Sequence, residues 1–309
     1  MRITSLRALE SIFLDGCFST SSDSPRAGEI TAWLGSFANL KRIEVSQFIF
    51  DSFSQLRDMV CACPGLKLLR ICRCRSRARG PLLEHHSLPE PQIPPCPPLR
   101  ALRTVNCEFD DELFKWVAMG ASSSPLKSIC IGFDTVVRHQ ASLGRLLRAL
   151  GPTLEQLSIK YDSFNFSHDA SISYEQIDLI HNTRLEVLSF WEVPLPIIRH
   201  NGLSIIKQVS SSNFRELNVS LHHHLWGPGP LLVGGAKSLP ELAAIDTLLQ
   251  HPGFANLEGF NIGLPRTMDS IRGFFPLTAA RNRLRIMSAR DVQRSHALRN
   301  GEGSVWTWP

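Results

Sequence analysis

The sequence predicts an α/β fold in which short parallel strands alternate with helices in about ten irregular repeats, a solenoid with a curved parallel sheet inside and helices outside. Three observations predict it. A short apolar phrase recurs along all 309 residues. Amphipathic helical segments lie between many of its copies. Gly and Pro breaks separate the helical segments from the phrases that follow.

The phrase is apolar, two residues, apolar, one residue, apolar. It reads Leu9-Ile12-Leu14, Leu40-Ile43-Val45, Leu66-Leu69-Ile71, Leu102-Val105-Cys107 and Leu126-Ile129-Ile131. It continues as Leu154-Leu157-Ile159, Leu185-Leu188-Phe190, Phe214-Leu217-Val219, Leu257-Phe260-Ile262 and Leu284-Met287-Ala289. The spacing averages about 31 residues, near the upper end for leucine-rich repeats. A leucine-rich-repeat solenoid is therefore the expected fold, as a single domain over residues 1–309. Insertions are expected near 73–98 and 221–238, where the prolines from Pro81 to Pro98 and the run Trp226-Gly-Pro-Gly-Pro230 forbid helix.

Helices are expected where apolar residues recur at i, i+3 and i+4. Leu143, Leu146, Leu147 and Leu150 form one stripe, ended by Gly151-Pro152. Asp110-Asp111-Glu112 loads carboxylates at the start of another helix, favourable to its dipole. Further helices are expected over Phe53–Val60, Tyr174–Ile180, Leu203–Val209 and Pro240–Leu249. Strands joined by such crossovers lie parallel.

Hydrophobic residues make up 43% of the chain, enough for a continuous core. No run of about 18 uncharged apolar residues occurs, so no membrane span is expected. The first residues hold no signal-peptide apolar core, because Arg7, Glu10 and Asp15 interrupt it. The eight cysteines are then expected as reduced thiols, in a cytoplasmic or nuclear protein. Net charge is +5, with a basic end: eight arginines against two aspartates between Arg266 and Arg299.

Little in the sequence resembles catalytic chemistry. No nucleophile elbow, phosphate loop or His-Glu-x-x-His helix is present, so a non-enzyme without cofactor is expected. Cys61/Cys63 and Cys72/Cys74 are each separated by one residue, below the spacing of structural zinc pairs, and no metal is assigned to them or to His85, His86 and Cys96. His222-His223-His224 reads as a loop edge. Arg70, Arg73, Arg75, Arg77 and Arg79 cluster before the proline-rich stretch and, with the basic C-terminus, suggest an alternative role as a nucleic-acid-associated scaffold.

The informative surface is the inner face of the sheet, where residues between and just after the apolar slots point away from the core. It places Asp15, Glu44, Arg70, Glu108, Lys160, Trp191 and Asn218 as partner-binding residues, with Ser46, Ser158, Ser189, Ser220 and Asn261 between them. Phe190 takes the buried slot, so Trp191 is expected to be exposed and to anchor a protein partner.

With Leu-Arg-Ala-Leu at 6–9 and 99–102, Cys63-Pro64-Gly65-Leu66-Lys67-Leu68-Leu69 and Pro152-Thr153-Leu154-Glu155-Gln156-Leu157, the chain resembles the leucine-rich-repeat region of fungal, basidiomycete-type F-box proteins. The resemblance covers essentially the whole chain. It implies a region that recruits the substrate of a ubiquitin ligase. The first phrase begins at Leu9, and no F-box with its Leu-Pro entry precedes it, so contact with the cullin-ligase adaptor is implied only with an F-box upstream. An uncapped first repeat also implies an exposed apolar edge there.

Overall fold

The computed structural model describes residues 9–16, 27–77, 93–121, 125–161, 176–193, 198, 202–221, 240–264, 269–288 and 291–292. The chain divides into two compact units, 1–154 and 155–309. Both are α/β.

In the first unit, strands β1 (Ser11–Asp15), β2 (Arg42–Ser46), β4 (Leu68–Cys72), β6 (Ala101–Val105) and β7 (Ser128–Gly132) follow one another in a parallel sheet, with β1 at its edge. A small parallel pair, β3 (Ile49–Phe50) and β5 (Arg75–Ser76), lies beyond the ends of β2 and β4. Between the strands run α1 (Ala27–Gly35), α2 (Phe53–Cys61), α3 (Asp110–Met119), α4 (Phe133–Arg138) and α5 (Gln140–Leu150); α1 packs on α2, and α3 on α5. In the second unit, β8 (Gln156–Lys160), β9 (Val187–Val193), β10 (Glu216–Leu221), β11 (Gly259–Leu264) and β12 (Leu284–Ser288) are likewise parallel and adjacent in that order. Helices α6 (Leu203–Lys207), α7 (Pro240–Leu248) and α8 (Pro276–Ala280) connect them.

Eight of the ten apolar phrases occupy the positions expected of them. Ile12, Ile43 and Leu69 lie opposite one another, as do Leu14, Val45 and Ile71. Leu157, Leu188, Leu217 and Phe260 do the same in the second unit. Burying each such side chain contributes roughly 1.5–3 kcal/mol, and those of Ile43, Leu69, Leu188, Leu217 and Phe260 are wholly buried.

Two phrases are displaced by three residues. Register pairs Leu69 with Leu102 and Ile71 with Thr104, so the fourth phrase is Leu99-Leu102-Thr104. Thr104 fills an apolar slot because its hydroxyl donates to the buried Asp110 carboxylate, which also accepts from Thr135 Oγ1 at 2.5 Å. The last strand pairs Phe260 with Leu284 and Ile262 with Ile286, leaving Met287 outside the two slots; Ala289 lies outside the described residues.

The helix stripe of α5 is buried at Leu143, Leu146, Leu147 and Leu150, as its spacing requires. Over Tyr174–Ile180 the expected helix is not found in the described part: residues 176–180 are turn and coil, with Ile177 and Leu179 still buried. Gln47, Arg73 and Asn106 follow β2, β4 and β6 directly and share a left-handed φ of 53–54°. The ladder runs on through them, since Gln47 N donates to Cys72 O and Arg73 N to Val105 O, both at 2.8 Å. For Gln and Arg that conformation costs about 1 kcal/mol, and the continued ladder offsets it.

Of the two expected insertions, 78–92 and 222–239 lie outside the described residues, His222 to His224 among them. The described end of the first is pinned: Trp116 Nε1 donates to Pro94 O at 2.8 Å. No described helix is long and apolar enough to cross a membrane.

Candidate functional site

Three rows of residues stand in register on the first-unit strands, two on the face opposite the buried slots and one at the entry to the strands. The first is Glu10, Lys41, Lys67, Arg100 and Lys127, just before the strands. The second is Ser11, Arg42, Leu68, Ala101 and Ser128. The third is Phe13, Glu44, Arg70, Arg103 and Cys130. Their backbone is tightly held: Lys41 O accepts from Lys67 N at 2.8 Å, Lys67 O from Arg100 N at 2.7 Å and Arg100 O from Lys127 N at 2.9 Å. Neighbouring side chains in a row therefore stand about 4.8 Å apart.

These rows hold seven cations, Lys41, Arg42, Lys67, Arg70, Arg100, Arg103 and Lys127, against the acids Glu10 and Glu44. Lys67, Arg100 and Lys127 are exposed; Arg42, Arg70 and Arg103 are half-buried. Lys41 donates to Glu10 and holds its carboxyl below the usual value. Arg70 Nη1 donates to Glu44 Oε2 at 3.1 Å. Arg103 stands directly opposite Arg70. Burial, with Arg70 and Arg42 close by, pulls its guanidinium below the ordinary arginine value.

The corresponding face of the second unit is polar and closed. Asn218 Nδ2 donates to Ser189 Oγ at 3.0 Å, and Asn261 Nδ2 donates to Asn218 Oδ1 and Glu216 Oε1, both at 2.8 Å. Ser158, Ser189, Asn218, Ser220 and Asn261 are all buried. Such a network rigidifies the sheet and leaves little for a partner to touch.

The expected binding residues are thus placed unequally. Glu44 and Arg70 lie side by side on the basic face. Asp15 is exposed at the end of β1. Lys160 is buried and sits 3.8 Å from Glu192. Asn218 is buried within its network. Two expectations need correction. Trp191 is only 6% exposed, so it is part of the packed interior. It pairs with Lys160 just before Glu192, whose φ of 56° and register shift interrupt the alternation. Glu108 is not on a strand; its carboxylate accepts from Ser76 N at 2.8 Å beyond the end of β6. The residue in the slot assigned to Glu108 is Val105, and the cation in register with Glu44 and Arg70 is Arg103, which the displaced fourth phrase hid. The basic first row was also passed over, although its signal is plain in three members: the residue after the first apolar slot is Lys41, Lys67 and Lys127 in turn, and Arg100 joins them in the folded register.

Of the cysteines, Cys130 stands in the third row beside Arg103. Among the described residues no three His, Cys, Asp or Glu side chains gather as metal ligands. Burial pushes the Cys63 thiol up to about 11 and the Cys96 thiol up to about 12, which keeps both protonated and poor as thiolate donors. Arg75 of the arginine cluster is held in the β3–β5 pair, and Arg77 lies 3.3 Å from Asp51; Arg79 lies outside the described residues.

No protein-family model matches the chain, and no curated protein matches it.

Proposed function

We propose that the chain is a non-catalytic protein-binding scaffold of leucine-rich repeats that holds an acidic segment of its partner on the basic rows of the first unit. The observation that carries this reading is the charge of those rows, seven cations against two acids on adjoining strands. A ladder of cations about 4.8 Å apart complements an extended or helical run of Asp and Glu. The leucine-rich-repeat assignment is supported by apolar phrases that fall opposite one another on consecutive parallel strands with helical crossovers. The resemblance to F-box proteins makes the finer role that of a substrate-recognition region in a ubiquitin-ligase subunit.

Fluorescence anisotropy with a labelled decaglutamate peptide tests the binding. Lys67→Glu with Arg100→Glu weakens it at least about tenfold, because both residues are exposed and their reversal removes the charge complementarity without touching the core. Unchanged affinity sinks the reading. The ligase role is tested by recovery of the cullin-ligase adaptor with the product of the full transcript, and no recovery removes that part alone. The same rows favour one second reading, a nucleic-acid scaffold. It is preferred if a single-stranded deoxythymidine oligonucleotide outcompetes decaglutamate, with affinity falling steeply as salt rises.

A further inference from the structure

At the outer edge of β1, where the rows end in Glu10, Ser11 and Phe13, the described strand carries no cation. Glu10 O accepts from Lys41 N at 2.9 Å and Arg42 N at 3.0 Å, and Gly16 N donates to Ser46 O at 3.0 Å. In a parallel ladder this means that the even-numbered residues bond to β2. Ser11, Phe13 and Asp15 therefore turn their N–H and C=O groups to the opposite edge, where the described residues supply no strand.

Along that edge lies a groove of about 520 Å³, lined by Phe13, Leu14, Asp15, Glu29, Trp33 and Phe48 among others. Phe13 is 58% and Trp33 42% exposed, while most aromatic side chains of the described structure are packed inside. Trp33 is held in place by an edge-to-face contact with Phe37, ring centres 4.9 Å apart, so the exposed ring is pre-positioned. The groove wraps the strand. Trp33 and Glu29 come from α1, and Phe13 stands on the sheet face beside Glu44. Among the described residues, the ionisable ones lining it are both acids, Asp15 and Glu29.

We propose that this edge is a second docking site, which takes an extended segment of a partner protein as an added strand beside β1, with apolar side chains against Trp33 and Phe13 and basic side chains toward Asp15 and Glu29. Main-chain bonding to Ser11, Phe13 and Asp15 supplies the register; Phe13 and Asp15 share one face of β1 and Trp33 and Glu29 one face of α1, so each side of the added strand meets an aromatic beside an acid. The charge of the edge argues against a second copy as the occupant. Ser-Ile-Phe-Leu-Asp holds no cation, and pairing two of them brings only carboxylates to the new ribbon.

The probe is a labelled peptide of sequence Lys-Val-Lys-Phe-Lys-Val-Lys, titrated against the full chain and read by anisotropy. Its charge is opposite to that of decaglutamate, so the two probes report the two sites separately, and failure of one leaves the other standing. Phe13→Ser is expected to weaken binding about tenfold, and Asp15→Lys with Glu29→Lys at least as much. Both leave the buried core untouched, which an unchanged melting curve verifies. N-methylation of alternate peptide amides, which blocks strand pairing without altering composition, reduces binding about tenfold or more. Equal binding of the N-methylated peptide overturns the added-strand geometry. Binding indifferent to Asp15→Lys with Glu29→Lys overturns the basic partner. A dimer in sedimentation equilibrium that Phe13→Ser dissolves assigns the edge to a second copy and also overturns the proposal.

Discussion

Arg70 and Arg103 occupy matched positions on adjacent strands, yet their replacement by Met should cost unequal amounts of stability. Arg70 Nη1 lies 3.1 Å from Glu44 Oε2, and the two side chains are 12% and 11% exposed. Arg70→Met leaves the Glu44 carboxylate largely buried without this partner, which costs about 2–4 kcal/mol, somewhat under the range for fully buried pairs. Arg103 stands opposite a like charge, with Glu44 also close enough to favour its charged form. Relieving the directly opposed pair contributes roughly 0.2–1 kcal/mol, which offsets what Arg103 gains from its other neighbours. Arg103→Met should therefore change stability by less than about 1 kcal/mol, well under the loss for Arg70→Met. Urea unfolding followed by circular dichroism at 222 nm measures both variants, with equal m-values required before free energies are compared. Decaglutamate binding should fall for Arg103→Met although the fold is nearly as firm, which is the mark of a residue kept for a partner more than for stability. If Arg103→Met destabilises by more than about 1 kcal/mol, the guanidinium is a structural element, and the charge argument for this face fails.

Three further outcomes test the interior. Asp246, buried on α7, accepts from Leu277 N at 3.0 Å, Thr278 N at 2.8 Å and Thr278 Oγ1 at 2.5 Å at the start of α8. Asp246→Ala should cost about 3–5 kcal/mol in chemical denaturation, and Asp246→Asn less, since one acceptor oxygen survives; a loss under 1 kcal/mol would show that α8 does not depend on this cap. Burial raises the Asp110 carboxyl above its ordinary value, so the native state binds its proton more tightly than the unfolded chain. Its contribution to stability is fully present below the ordinary carboxylate range and is lost as pH rises through the folded pKa. The Tm of Asp110→Asn should gain on that of the unaltered protein between acid and neutral pH, and parallel curves would contradict the assignment. Trp191→Ala should cost about 3–5 kcal/mol, as for other buried aromatics, while decaglutamate binding to the native protein stays within about twofold; a selective loss of binding would return Trp191 to the partner surface.

Most of the strand positions were legible because an apolar slot is a local property: Leu, Ile and Val recur at fixed spacing wherever a strand must be covered by a helix. The two displaced phrases show where locality ends. Leu102-Val105-Cys107 is a better apolar match than Leu99-Leu102-Thr104, and only the second aligns with Leu69 and Ile71. What makes Thr104 tolerable in a buried slot is Asp110, six residues on, together with Thr135 from the next strand's crossover, a meeting that exists only after folding. From that one shift followed two errors about the surface, Glu108 placed on the sheet and Arg103 left off it. Trp191 failed for a related reason. Exposure on a strand face depends on the neighbours in the ladder and on the turn at Glu192, neither of which alternation encodes. Of the row Lys41, Lys67, Arg100 and Lys127, three members follow from the phrase itself, and Arg100 joins them only in the folded register. Once register is known, a cation repeated in the same slot on four neighbouring strands becomes a continuous charged line, and it is this line, more than any single side chain, that a partner would meet.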